Sequence, residues 1–230
     1  IAELETRTEG WIAGLQLAAL SMQGRTDHQA FIKSFTGGHR LVLDFLIEEV
    51  LGQQPESIQS FLLQTAILNQ LTGSLCDALT GQENSQATLE MLDHDNLFII
   101  PLDEERRWYR YHHLFADLLR ARLGGSETAA TARLLSRAAA WCEENGQVAE
   151  AVDYALAARD YGRAANLVAR YWQHTMNGGE IETVWSWLNA LPEDTVRNSA
   201  PLSVAYCWVL WLRGQIGAIE AHLVNAEHAL

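Results

Sequence analysis

Along a chain whose apolar residues otherwise recur with the helical period of about 3.6, one stretch breaks step. In NLFIIPLDEERRWYRYH, Asn96 to His112, an apolar run from Leu97 to Leu102 meets a charged turn at Asp103 to Arg106. A second run, Arg107 to Tyr111, is rich in aromatics. Two extended runs around a short polar turn predict a β-hairpin. Helices are predicted before it from Pro55 through SIQSFLLQTAIL, with the proline at the first turn, then around Ser74 to Leu79 and from Ser85 to Asp93. Another helix, Leu114 to Leu123, follows the hairpin. Three helices, a two-stranded wing and a closing helix is the order of a winged helix.

The flanks are helical. Thr8 to Met22, TEGWIAGLQLAALSM, places Trp11, Leu15 and Ala18 on one stripe, widened by Ile12 and Ala19. HRLVLDFLIEEVL sets Leu43, Leu46, Ile47 and Val50 on one side before Gly52 breaks the pattern. Beyond Gly124-Gly125 a small motif recurs: Gly146-Gln147 then Ala149 and Ala151; Asp160-Tyr161-Gly162 then Ala164 and Ala165; Gly214-Gln215 then Ala218. Turn residues followed by small residues let paired helices approach closely, as in tetratricopeptide-like hairpins. GGEIETVWSWLNALPEDTV adds a helix with Trp185 and Leu188 inward and Pro192 ending it. The expected fold class is mainly α: a helical subdomain over 1–52, a winged helix with a hairpin wing over 53–125, and tetratricopeptide-like hairpins over 126–230.

Composition narrows the function. At 48% hydrophobic residues, 230 residues suffice for buried cores, and no apolar run reaches the roughly 18 residues that span a bilayer. No signal peptide is legible, so a cytoplasmic location is expected, away from membranes. The first residue is Ile1, within helical sequence, which suggests a segment of something longer. The net charge of −13 disfavours binding to a phosphate backbone. Cys76, Cys142 and Cys207 lie far apart and read as reduced core thiols. The sole lysine, Lys33, sits in FIKSF, so the chain holds no phosphate-cradling G-x-x-x-x-G-K-[ST] loop. G-x-S-x-G, H-E-x-x-H and C-x-x-C are missing too, and no independent enzyme activity is expected.

The adjacent His112 and His113 invite a metal, yet neighbours on a helix point about 100° apart, and no third ligand is spaced to join them. No metal site is expected. Two readings of His112 stay open. It closes the hairpin against the helix start, or it donates a hydrogen bond to an anion where the helix dipole already favours negative charge. DHDN, Asp93 to Asn96, reads as a turn. Of the eight tryptophans, Trp172, Trp185, Trp187, Trp208 and Trp211 fall at spacings that suit packing between helices, with a minority left to line a ligand or partner surface.

TEGWIAGLQLAALSMQG, FLLQTAILNQLTGSLCDALTG, NLFIIPLDEERRWYRYHHLFADLLRARL and RAAAWCEENGQVAEAVDYALAARDYGRAANLV, in this order, resemble the large ATP-dependent LuxR-type transcriptional activators, signal-transduction ATPases of the maltose-regulon-activator type. The likeness covers nearly the whole chain. It implies the middle of a layout in which a P-loop domain precedes Ile1 and a DNA-reading helix-turn-helix follows Leu230. GLQLA, Gly14 to Ala18, is similar to the G-L-P-L-A element whose proline packs near adenine, which implies that Gly14 and Gln16 lie near adenine. YHHL, Tyr111 to Leu114, is similar to the M-H-D-L element whose histidine meets the ADP β-phosphate; His112 matches that histidine, and His113 stands where the motif has Asp.

The resemblance implies a switch. ADP and ATP would be held mainly by the P-loop domain, and ADP would tether the winged helix through His112. Inducer at the superhelix would favour an open state that self-associates and activates transcription. Implied partners are the chain's own nucleotide domain, other protomers, a small-molecule inducer and, through the helix-turn-helix alone, DNA. One rival reading is a helical adaptor for protein partners without nucleotide. Another is a DNA-reading winged helix, but 53–125 carries ten acidic residues against five arginines, a net of −5.

Overall fold

The computed structural model describes residues 50–123 and 129–229. The helices expected before residue 50, with Gly14 and Gln16, lie outside the described residues. The chain divides into two compact units, 1–128 and 129–230.

The first unit runs α1 Glu56–Thr65, α2 Gly73–Thr80, α3 Ser85–His94, β1 Ile99–Pro101, β2 Tyr109–Tyr111 and α4 His113–Arg122. Pro55 sits one residue earlier than expected, at the N-cap of α1. Apolar spacing buries one face of each helix: Phe61 and Leu62 from α1, Leu75 and Leu79 from α2, Leu89 and Leu92 from α3, Leu114, Phe115, Leu118 and Leu119 from α4. At Gly73 a Cβ would lie 2.7 Å from that of Gln86, so the glycine lets α2 and α3 touch. Asp77 Oδ1 accepts the Ser85 N–H (2.9 Å) and steers the start of α3 back beside α2.

The hairpin is antiparallel, pairing Ile99 with Tyr111, Ile100 with Arg110 and Pro101 with Tyr109. The strands are shorter than the sequence suggests. Asn96 (φ 54°) and Phe98 (φ 55°) take left-handed conformations that interrupt an extended chain, so β1 begins only at Ile99. At the far end Asp103 Oδ1 accepts the N–H groups of Arg107 (2.8 Å) and Trp108 (3.2 Å), drawing both into the turn. A third extended residue, not foreseen, flanks β2: Leu71 exchanges both backbone hydrogen bonds with Tyr109, at 2.8 and 2.9 Å.

The second unit is a run of helices: α5 Ala129–Glu144, α6 Val148–Ala157, α7 Tyr161–Asn177, α8 Ile181–Ala190, α9 Glu193–Arg197, α10 Ala200–Leu212, a 3-10 turn Ile216–Ala218 and α11 Ile219–His228. Four of its turns are built alike. A residue of positive φ, Gly146 (74°), Arg159 (57°), Gly179 (87°) or Gly214 (72°), ends one helix. The N–H after it reaches back to the carbonyl five residues earlier: Gln147 to Cys142 (2.8 Å), Asp160 to Ala155 (2.9 Å), Glu180 to Thr175 (3.2 Å) and Gln215 to Leu210 (2.8 Å). This is the Schellman closure, and a new helix starts one residue on. The sequence motif marked three of these turns. It missed Gly179-Glu180, and in the second turn the left-handed residue is Arg159, while Gly162 lies inside α7.

Between the turns Ala138, Ala139, Ala151, Ala155 and Ala164 are wholly covered, which lets successive helices pack closely. In α8 it is Trp187 (2% exposed) and Leu188 that point inward, where Trp185 was expected. With the helix starting at Ile181, Val184, Trp187, Leu188 and Leu191 form one stripe, and Trp185 lies half-buried beneath the Arg213 guanidinium, 4.8 Å from its ring. Pro192, expected to end α8, is the N-cap of α9. Among the described residues the fold is mainly α with one two-stranded antiparallel hairpin, as the sequence implied.

A Cβ at Gly146 meets nothing within 4 Å, so Gly146→Ala tests the turn geometry alone. The left-handed conformation costs a non-glycine residue roughly 1–2 kcal/mol. The expected result is a lower urea midpoint for the second unit, by that energy, with the denaturant slope unchanged.

Candidate functional site

His112 follows the last residue of β2, and its backbone N–H donates to the Phe98 carbonyl (2.8 Å), extending the hairpin by one bond. It is also the N-cap of α4, where its Nδ1 accepts the Leu114 N–H at 3.3 Å. An Nδ1 that accepts places the ring proton on Nε2. The side chain is 5% exposed. Its ring stacks on that of His113, centroids 4.8 Å apart and planes 19° apart, and meets Phe98 edge to face at 5.9 Å and 88°. Strand end, helix start and aromatic neighbours all converge on this imidazole.

Supporting groups lie behind it. The Tyr111 hydroxyl bonds to Thr65 Oγ1 (2.7 Å), which also donates to the Phe61 carbonyl (2.7 Å), tying β2 to α1. Burial raises the Tyr111 phenol well above its ordinary range, so it stays neutral. Arg120 Nε donates to the Ala66 carbonyl (2.9 Å), joining the far end of α4 to the same helix. Thr65 and Phe98 were not singled out from sequence. A lone threonine inside a helix and an aromatic in an apolar run carry no local signal of such roles.

The surface formed by α3 and the wing is acidic. SQATLEMLDH brings Glu90 and Asp93 and neither Lys nor Arg. The wing turn is fastened to it, with Gln86 donating to the Arg106 carbonyl (2.9 Å) and Arg106 pairing with Asp93 (3.0 Å). A duplex-reading helix presents cations to phosphates, so this arrangement speaks against DNA reading by the winged helix. DHDN forms the end of α3 and the turn after it, and His94 pairs there with Asp95 (3.0 Å) at the surface. Among the described residues no cluster of three or more His, Cys, Asp or Glu could hold a metal. The three cysteines are free and buried, and burial pushes the Cys76 and Cys142 thiols up to about 12.

The second unit carries its own surface features. A cleft of about 340 Å³ is lined by Asn189, Glu193, Arg197, Tyr206, His222 and Asn225 over an apolar floor. In it the His222 ring stacks on Tyr206 (4.1 Å, 10°), whose hydroxyl donates to Asn189 (2.8 Å). Burial lowers the pKa of His222, against a smaller opposing pull from Glu193. Trp208 and Trp211 are 48% and 56% exposed, and Trp208 borders a groove of about 460 Å³ with Trp172 and Met176. No helix among the described residues is long and apolar enough to cross a membrane.

Residues 47–131 match the MalT winged helix domain. Along 99% of its length the chain is 36% identical to the serine/threonine-protein kinase PknK of Mycobacterium tuberculosis and Mycobacterium bovis, and it spans 21% of those proteins. Along 96% of its length it is 32% identical to the HTH-type transcriptional regulator MalT of Yersinia enterocolitica, spanning 25% of it.

Two substitutions at His112 separate cap from ring. Asn is a strong N-cap and Ala is not, so His112→Ala is expected to lose about 1 kcal/mol of first-unit stability that His112→Asn largely keeps, read by chemical denaturation. At His222 a folded pKa below the unfolded one means that the unfolded state binds the proton first. Stability is then lost as pH falls below the ordinary histidine value. His222→Phe keeps the stack on Tyr206 and is expected to flatten the fall in the second unit's thermal midpoint between about pH 7 and 5.

Proposed function

With residues 47–131 belonging to the MalT winged helix domain family, we propose that this chain is the regulatory middle of an ATP-dependent switch protein, whose winged helix reads bound ADP through His112. What carries the reading is the tautomer. Because Nδ1 is occupied by the Leu114 N–H, Nε2 holds the proton and is the donor a phosphate oxygen accepts from. The ring also stands at the N-terminus of α4, where the helix dipole favours an anion. The chemistry of the site thus fits a diphosphate as partner.

ADP or ATP would be bound chiefly by a P-loop domain of the longer protein, with Gly14 and Gln16 near the adenine. His112 contributes one charge-assisted hydrogen bond, which holds the winged helix against the nucleotide domain in the closed state. The helical hairpins of the second unit relay inducer occupancy, and release of the His112 contact allows opening and self-association. Relatives named for two different outputs, a protein kinase and a transcriptional regulator, share this segment. The segment accordingly serves as the control module, and transcription is the output in a MalT-like protein, with DNA met through a separate helix-turn-helix. A cytoplasmic location follows from such a role.

A second reading, a helical adaptor for protein partners without nucleotide, is favoured by the exposed Trp208 and Trp211. His112→Asn in the full-length protein discriminates the two, because the cap survives while the donor position changes. A hydrogen bond to a charged group is worth roughly 1.5–3 kcal/mol. ADP retention is expected to fall by about tenfold to a hundredfold, with a matching rise in inducer-independent output. Unchanged retention and output would favour the adaptor.

A further inference from the structure

We infer that Phe98 and His113 are positioning residues for His112, two aromatic walls that hold the plane of its imidazole and so keep Nδ1 in line with the Leu114 N–H that sets its tautomer; the inference rests on the reading of His112 given above. His113 lies parallel to the ring at 4.8 Å and Phe98 stands across it at 5.9 Å with planes 88° apart. Both aromatic contacts resist a quarter turn about χ2, and the Leu114 hydrogen bond resists a half turn. A quarter turn breaks the stack on His113. A half turn exchanges Nδ1 for a carbon and gives up the hydrogen bond from Leu114 N–H. The ring is therefore held in the one orientation that leaves the proton on Nε2.

Phe98 is placed for this at a conformational cost. Its φ of 55° is one that a bulky L side chain rarely adopts. The surroundings hold it there: its carbonyl accepts the His112 N–H at 2.8 Å, and its ring also packs on Phe115, with centroids 5.5 Å apart. The same residue thus grips both the backbone and the side chain of His112. His113 is notable for a different reason. It stands where the M-H-D-L element has a carboxylate, and here an imidazole stacked on its neighbour takes that place.

The test uses nitrogen-detected NMR of the His112 ring in this chain, together with the rate of ADP loss from the full-length protein. His113 is half-buried at the start of α4, so His113→Ala is expected to fold. In the wild type His112 should show one tautomer, with the proton on Nε2. His113→Ala should mix the tautomers and speed ADP loss about two- to tenfold, the range of an aromatic pair contact. His113→Phe should restore both, and Phe98→Leu should repeat the loss. An unchanged His112 ring in both His113→Ala and Phe98→Leu overturns the inference. A loosened ring with unaltered ADP loss, in these variants and in His112→Asn alike, supports the positioning and overturns the nucleotide latch.

Discussion

The backbone of Tyr109–Tyr111 is hydrogen-bonded along both edges, to Leu71 on one side and to Ile99–Pro101 on the other, and the first unit is arranged around it. Leu71 lies between α1 and α2, so its pairing fixes where those helices stand relative to the hairpin. Tyr111 carries the constraint inward through its hydroxyl to Thr65. One residue further, His112 bonds back to Phe98 and caps α4. A strand of three residues thereby sets the position of three helices and of the imidazole that caps α4.

Capping gives His112 its chemistry. A histidine at a helix start whose side chain reached only solvent would exchange tautomers freely. Once Nδ1 accepts from Leu114, the proton is committed to Nε2, and the ring becomes a donor of fixed direction. Of the two readings that the sequence left open, the structure shows the first: His112 closes the hairpin against the start of α4. The acidic α3, fastened to the wing, is without the cations that a duplex-reading helix presents to phosphates.

The second unit follows a different economy. Among its described residues there is no strand, and four of its direction changes use copies of one turn, each with a single residue of positive φ and one long-reach backbone bond. Wholly covered alanines between the turns set the spacing of the helices. In α10, a helix of thirteen residues without a charge, Leu202, Ala205, Val209 and Leu210 are buried while Trp208 and Trp211 stand outward. An apolar surface of this kind on a helix is suited to cover by other protein.

Helical period, the change to extended runs at Leu97 and the glycines ahead of small residues were enough to read the order of elements in the first unit, the hairpin and most of the second unit's turns, because these depend on local propensity and burial of one face. The place of His112 between the hairpin and the closing helix was legible too. What sequence did not show is long-range or conformational. The Leu71 bridge joins residues 38 positions apart in the chain. The strands shorten because Asn96 and Phe98 adopt a φ that composition does not forecast. Arg159, not the nearby Gly162, takes the left-handed conformation of its turn. Above all, the tautomer of His112 and the aromatic rings around it were decided only when β2, α4 and the Phe98 backbone met in space. A side chain's donor and acceptor roles depend on which partners lie within hydrogen-bonding distance, and that distance is a property of the folded chain.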